Sequence, residues 1–407
     1  MGTVIAIGGG AAGLAAAIAA AECGDQVTIL ERMDRVGKKI LATGNGRCNL
    51  TNIHASPADY GASAAFVRPV LEAFPPASVM SIFEEMGVVC VPDEEGRVYP
   101  MSNQASSVLD VLRAELAEHG GEEIVDFSIS KIVRRGDFWH VHAADGRTMA
   151  APRILVAMGG QAAPNLGGTP DGIHLLRDLG YRTKPCFPAL TALKCDHPRL
   201  KSLKGIRSAG SVALVVDEKI VASETGEILF QDYGLSGIAV MQLSGAAAQA
   251  LSKQKRVSLR LNLCGLSQRK ALAQLRERRD RLSARPLENF LTGWLNKRLG
   301  QTLLKIAGCE DLLAPSGTLS DALLDRLAGI MTGWTIPVTA SAGYAQAQVT
   351  RGGIYTAEFS PDTMLSRRHP GLYIAGELLD VDGPCGGYNL QWAWASALAA
   401  CRDMLNA

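Results

Sequence analysis

The chain has 407 residues and 43 of them are glycine, a share well above the roughly 7% usual in globular proteins. Apolar residues make up 47% and charged residues 20%, which excludes intrinsic disorder, while glycine without a triplet period excludes collagen. With 41 basic and 40 acidic residues the net charge is +1, so no overall field draws in nucleic acid or an anionic membrane.

Length alone predicts about two or three domains. The nine cysteines include no C-x-x-C pair, so neither a zinc ribbon nor a thioredoxin-type centre is expected, and no metal. Scattered thiols suit a reducing, cytoplasmic setting. Residues 2–21 are nearly all apolar, yet no Lys or Arg precedes them and they hold a patterned glycine cluster. They therefore read as part of the fold, not as a signal peptide.

Val4-Ile5-Ala6-Ile7 predicts a strand that ends at Gly8-Gly9-Gly10-Ala11-Ala12-Gly13, and an alanine-rich helix follows to about Ala21. Cys23-Gly24-Asp25 breaks the helix, and Gln26–Glu31 reads as a second strand closing on an acid. This is the order of a dinucleotide fingerprint. Gly8 permits the tight turn, Gly10 lets backbone approach a pyrophosphate, and Gly13 lets helix and strand pack closely. The first helical N–H groups would face the phosphates, and Glu31 would accept from a ribose diol. The next stretch, Arg32 to Lys39 and then Thr43-Gly44-Asn45-Gly46-Arg47-Cys48-Asn49, is basic, polar and punctuated by glycine. Such a loop suits a longer dinucleotide than NAD, one whose far end the same domain must clasp. That points to FAD.

The segment from Gly8 to Asn52, above all Gly44-Asn45-Gly46-Arg47-Cys48-Asn49-Leu50-Thr51-Asn52, resembles the bacterial BaiN-like family, also called aminoacetone-oxidase-like FAD enzymes. The resemblance implies an α/β fold with a Rossmann-like, three-layer FAD domain of glutathione-reductase type. It also implies an inserted β-barrel-like domain and a small helical domain. The cofactor set it implies at this end is Gly8, Gly10, Ala11, Ala12, Gly13, Glu31, Arg32, Gly37, Lys38, Lys39, Gly44, Asn45, Arg47, Cys48 and Asn49.

Further along, Val88–Pro92, a turn at Asp93–Gly96 and Arg97–Ser102 predict a hairpin, and Gln104 to His119 a helix with Val108, Leu109, Leu112 and Leu116 inward. From Ile124 to Ala151 three short β runs form a meander, in which the resemblance implies a cofactor contact at Ile132. His140 and His142 share one strand face with no third ligand nearby and read as structural. Ile154–Gly160 is an apolar strand ending in small residues, where Ala157 and Gly159 would let a cofactor pass. Met158 stands where the family usually has Thr.

Residues 188–345 change character. Short β segments dominate to about Leu263, and Gly226–Gly237 resembles a family motif in which Gln231 and Asp232 replace Thr-His, so no catalytic role is assigned there. Residues 266–333 are charge-rich and helical, with Leu272, Leu275 and Leu282 on one stripe and solvated arginines elsewhere. The expected domains are 1–187 with 346–407 for FAD, 188–265 with 334–345 as the β-rich insertion, and 266–333 as the helical one. At the C-terminus, Gly371–Glu377 is a strand closing on an acid. The turn Gly383-Pro384-Cys385-Gly386-Gly387-Tyr388-Asn389-Leu390-Gln391 then opens an apolar helix. Here the set is Gly376, Glu377, Gly386, Gly387, Tyr388, Asn389, Leu390 and Gln391. Helix N–H groups at that turn would face the flavin N1 and C2 carbonyl, where reduction places negative charge. Arg351 stands where a small residue is common.

There is no second dinucleotide fingerprint and no C-x-x-x-x-C pair, which excludes a two-dinucleotide disulfide reductase. The expectation is an enzyme passing hydride through flavin N5 between transiently bound NAD(P)H and a small organic molecule, and the family resemblance implies an activated C=C bond as the group reduced. Asn45, Arg47, Cys48 and Tyr388 are its candidates for lining the flavin, with no acid–base catalyst assigned. The alternatives are an oxidase of small amines and a flavoprotein of non-catalytic or tRNA-modifying type. No nucleic acid or membrane partner is expected, and the chain reads as a monomer or homodimer.

Overall fold

The computed structural model describes residues 2–406. The first β-branched run forms strand β1, Thr3–Ile7, buried from Val4 onward. A strand apolar on both faces belongs at the centre of a sheet covered on both sides. Accordingly β1 pairs in parallel with β2, Gln26–Leu30, on one side and with Arg153–Val156 on the other. Leu372–Ile374 and Glu122–Ile124 close the two edges, which completes a five-stranded, all-parallel sheet. The two ends of the chain thus supply neighbouring parts of one sheet.

Helices cover one face of this sheet. Helix α1, Ala11–Glu22, is apolar nearly all round, as a helix enclosed by protein should be, and its alanines pack against the long helix Tyr388–Asn406. Helix Ala105–Glu118 buries Val108, Leu109, Leu112 and Leu116, the stripe that its spacing predicts. The other face carries an antiparallel meander of Ile129–Arg135, Phe138–Ala143 and Thr148–Ala151. Trp139 is buried in it and donates its indole N–H to the Pro370 carbonyl at 3.1 Å. Helices, parallel sheet and meander make three layers. His140 and His142 stack ring on ring with centroids 6.4 Å apart, and both are half-buried.

The hairpin forms from Cys90–Pro92 and Arg97–Pro100. One Asp93 carboxylate oxygen accepts the N–H groups of Glu95 at 2.9 Å and Arg97 at 3.0 Å, and Gly96 supplies a φ of 77°. The turn is an Asx-type closure, with the side chain standing in for a backbone acceptor.

Contacts group the chain into one unit up to Phe187 and from Gln348, and a second spanning Pro188–Ala347. In the second unit six strands close into a barrel: Leu193–Cys195, Gly234–Ser236, Lys219–Phe230, Arg207–Val216, Val257–Asn262 and Trp334–Ser341. Inward residues alternate along them, as in Val212, Leu214 and Val216, or Leu259 and Leu261. Two features differ from the sequence reading. Ile238–Ser252 is a 15-residue helix inside the stretch read as β, because its Ala, Leu, Met and Gln residues favour helix once Gly237 has turned the chain at a φ of 89°. The helices Gln268–Arg281, Lys297–Ala307 and Asp321–Gly333 share one core with the barrel through Leu275, Leu303 and Leu327, so they form no separate domain. On the first of them Ala271 and Leu275 are fully buried, while Leu272 and Leu282 lie at the margin. Among the described residues no helix is long and apolar enough to cross a membrane.

Candidate active site

The carboxyl ends of β1, β2, Arg153–Val156 and Leu372–Ile374 open into a cleft enclosing about 1040 Å³. Ligands of open parallel sheets bind at this edge, where connections diverge to opposite faces. The glycine turn after β1 forms its floor, and Gly8, Gly10, Ala11 and Ala12 line it. A Cβ on Gly8 would sit 2.6 Å from the Ala157 carbonyl oxygen, and one on Gly13 would sit 1.8 Å from the Gly8 oxygen. Gly13 therefore serves helix–strand packing behind the cleft and does not line it. A Cβ on Gly10 or on Gly159 would meet nothing within 4 Å. Bare backbone facing open space is what close approach of a diphosphate requires, so the residues present fit a dinucleotide.

Glu31 lines the cleft and also fixes its shape. One carboxylate oxygen accepts the Gly9 N–H at 2.8 Å and the other accepts the Met33 N–H at 2.8 Å. The Gly37 N–H returns to the Gly9 carbonyl at 2.8 Å, which brings Gly37, Lys38 and Lys39 to the rim. Neither lysine is a free solvated charge. Lys38 pairs with Asp34, and Lys39 pairs with Glu377 at 2.7 Å, 338 residues away. The other Glu377 oxygen accepts the Thr350 N–H at 2.7 Å, and Thr350 Oγ1 accepts the Gln161 and Ala162 N–H groups. Glu377 thus ties three separated segments to one wall. Arg32 lies off the lining and reaches the Gly168 carbonyl at 3.4 Å.

The C-terminal turn is held by side chains. Asn389 Oδ1 accepts the Gly383 N–H at 2.9 Å, and its amide donates to the carbonyls of Gly383 and Pro384. Asn52 donates to the Gly386 carbonyl, the Asn49 amide spans Thr51 and Gly387, and Tyr60 OH donates to the Tyr388 carbonyl. Asn389 and Leu390 line the cleft at the start of their helix, as do Ala157, Gly159 and Gly376 at the strand ends.

Other sequence-named residues stand elsewhere. Gln391 is fully buried and structural, its oxygen taking the Thr51 hydroxyl at 2.6 Å and its amide giving to the Phe74 carbonyl at 2.8 Å. Ile132 is buried in the meander core, and Glu31 and Met33 are met instead by the backbone of Phe127 and Asp126. None of Asn45, Arg47, Cys48 and Tyr388 lines the cleft. The reason is local: Gly44, Asn45 and Cys48 all take a φ near 60°, which turns Cys48 into the core and Arg47 outward. Burial pushes the Cys48 thiol up to about 12, leaving it without nucleophilic character, and it raises Cys385 as well. Gly386, Gly387 and Tyr388 shape the turn from behind, and Gly44 and Asn49 do the same for theirs.

The sequence reading missed several lining residues: Thr43, Leu166, Gly167, Gly168, Gln348, Val349, Val381 and Trp392. A signal existed for some of them in the Gly167-Gly168 pair after Pro164, placed soon after a strand end.

Residues 2–403 match the model of the HI0933-like protein Rossmann domain. The chain is 38% identical over 403 residues to a 3-dehydro-bile acid delta(4,6)-reductase of Clostridium scindens, covering 97% of each. It is 30% identical to a ribosomal RNA dihydrouridine synthase of Escherichia coli, covering 99% of this chain and 98% of that one. Among solved structures, a 3-ketosteroid delta1-dehydrogenase of Sterolibacterium denitrificans aligns over 100% of both chains at 14% identity with a TM-score of 0.53, a likeness of fold. A fingerprint turn open to a parallel-sheet cleft, an acid at each of two strand ends and a full-length family match converge on one assignment: the chain belongs to the HI0933-like Rossmann family, the BaiN-like FAD oxidoreductases.

Proposed function

We propose that the chain is an FAD-dependent reductase of a C=C bond conjugated to a carbonyl, with NAD(P)H as the source of electrons. The observation that carries this reading is the pair of full-length relatives. A reductase of 3-dehydro-bile acids and a ribosomal RNA dihydrouridine synthase act on different molecules, yet both names describe saturation of a C=C bond in a ring that also carries a carbonyl. The cleft supports it through the cofactor it fits. Gly8 to Gly13 and α1 would hold the diphosphate, Glu31 the ribose, and Asn389 and Leu390 the far end of the ring system. FAD, when bound, supplies hydride chemistry at N5.

The protein's own contribution is orientation and charge. The N–H groups at the start of helix Tyr388–Asn406 would stabilise negative charge on a ring bound beside them, and the Lys39–Glu377 pair keeps the wall it joins electrically neutral. The test is anaerobic addition of NADPH or NADH to the yellow protein. Bleaching, followed by reoxidation when an enone is added, is the expected result. A flavin that stays oxidised with both nucleotides removes the reading.

The dihydrouridine synthase relatives favour a second reading, in which the reduced bond belongs to a uracil ring in RNA. The near-neutral charge weighs against a polyanion substrate. Tight, salt-sensitive retention of ribosomal RNA on filters would favour the second reading over a small-molecule substrate. Release of hydrogen peroxide from a small amine in air would instead favour an oxidase.

A further inference from the structure

A second cavity, of about 640 Å³, lies on the other side of the Thr43–Gly46 turn from the cofactor cleft. Arg47, Val91, Pro92, Asp93, Tyr99, Pro100, Met101 and Asn103 surround it. The two are neighbours along the chain, with Thr43 in one lining and Arg47 in the other. Thr43 lines the cleft, and the edge of the Tyr99 ring packs 3.1 Å from where a Gly44 Cβ would be.

Its charge distribution is specific. Arg47 lies flat over the Tyr99 ring, 4.2 Å from the centroid, and gives hydrogen bonds to the Gly44 carbonyl at 3.2 Å and to Tyr99 OH at 3.3 Å. The nearby acids are engaged elsewhere: Asp93 with Arg97 at 2.7 Å and Glu95 with Arg97 at 2.8 Å. Among the described residues no carboxylate lies within ion-pair distance of Arg47. Opposite it, Val91 and Met101 keep 38% and 65% of their surface exposed, an apolar area that nothing in the first unit covers. An unpaired guanidinium, pre-oriented on an aromatic face beside bare apolar surface, is matched by one ligand type.

We propose that this cavity binds an organic anion with a broad apolar body, the carboxylate resting on Arg47 and the body on Val91, Pro92 and Met101. The assignment deepens the enone-reductase reading and rests on it for the meaning of the site: a substrate anchored here by its acid lies one turn of chain from the cleft. Arg47 then acts as a specificity residue that selects for the anion.

The probes are 3-oxochol-4-en-24-oate and its methyl ester, which differ only in the charge at the end remote from the enone. Binding to the flavin-loaded protein is followed through the perturbed flavin spectrum. The wild type should prefer the acid to the ester by about 10- to 100-fold, the range of a charge-assisted hydrogen bond. Arg47→Ala should abolish the preference without weakening the ester, and Arg47→Lys should restore part of it. Met101→Glu, at an exposed position outside the cofactor cleft, removes apolar contact from both probes and adds charge against the acid, so it should weaken the acid more than the ester. It carries the test if Arg47→Ala purifies without flavin. Equal binding of acid and ester by the wild type, acid binding that ignores both substitutions, or binding of neither probe overturns the assignment. Preferential acid binding without turnover leaves the anion site standing and removes the reductase reading instead.

Discussion

Two glycine-rich turns build the cofactor cleft, and they use glycine for different reasons. At Gly8–Gly13 the glycines make room. Backbone lies so close on one side, and the cleft is so open on the other, that a side chain would collide behind or intrude in front. At Gly383–Gly387 no open side is served, and the glycines answer to the loop's own backbone: a Gly387 Cβ would sit 2.3 Å from the Thr51 oxygen, and the left-handed φ that Gly8 also takes recurs. Gly386 and Gly387 take φ values of 110° and 101°, and Asn389, Asn52, Asn49 and Tyr60 hold the loop in that shape. A turn that serves a ligand can be altered on its open side without harm to the fold. A turn that serves its own backbone cannot.

Substitutions separate these roles. The largest loss is expected at Gly13→Val, whose Cβ would meet the Gly8 oxygen at 1.8 Å. Helix α1 must then leave the sheet, and thermal unfolding should show a cost of about 3 kcal/mol or more. Gly387→Ala combines a left-handed φ with a Cβ 2.3 Å from the Thr51 oxygen, so about 2–3 kcal/mol should be lost together with flavin. Gly10→Ala is the contrasting case. With nothing within 4 Å of the new methyl, stability without cofactor should stay within about 0.5 kcal/mol of wild type. Flavin affinity should still fall by about tenfold, near 1.4 kcal/mol, read from absorbance retained on dialysis. Equal losses at Gly10 and Gly387 would erase the distinction.

The smallest effect concerns Asp382, just before the second turn. Burial raises its carboxyl above the ordinary 3.8, and Arg351 at 3.0 Å offsets this only in part. A carboxyl raised by folding costs nothing while protonated in both states, and its full cost appears once the pH exceeds the folded value. Asp382's own contribution should therefore fall as pH climbs from 3.8 through that raised value, against the gain from lowered carboxyls such as Glu358. Asp382→Asn should flatten the slope, by less than about 1 kcal/mol. A slope unchanged in the variant would show that Asp382 is not its source.

The cleft's two ends could be read from residues because backbone chemistry wrote them: a strand, a glycine turn, a helix and an acid leave a local pattern. Gly8, Gly10, Glu31, Glu377 and Leu390 all fall in such patterns and all line the cleft. Gln348, Val349 and Trp392 reach it through tertiary packing, which leaves no spacing to count. Arg47 and Cys48 share a motif yet face opposite ways, because four left-handed residues in a row of five reverse the side-chain order that a strand or helix would give. The helix Ile238–Ser252 was hidden by its neighbours, since an apolar run among strands carries no period of its own to separate it.

The Lys39–Glu377 pair has a consequence in time as well as in space. Lys39 is made 338 residues before its partner, and the edge strand Leu372–Ile374 and the helix from Tyr388 follow it at a similar remove. The floor of the cleft can form on the nascent polypeptide, but the wall that Glu377 organises cannot. Cofactor loading should therefore wait until Glu377 and the helix after it have been made. A chain released short of Leu372 should be colourless, however well its first strands and glycine turn have folded.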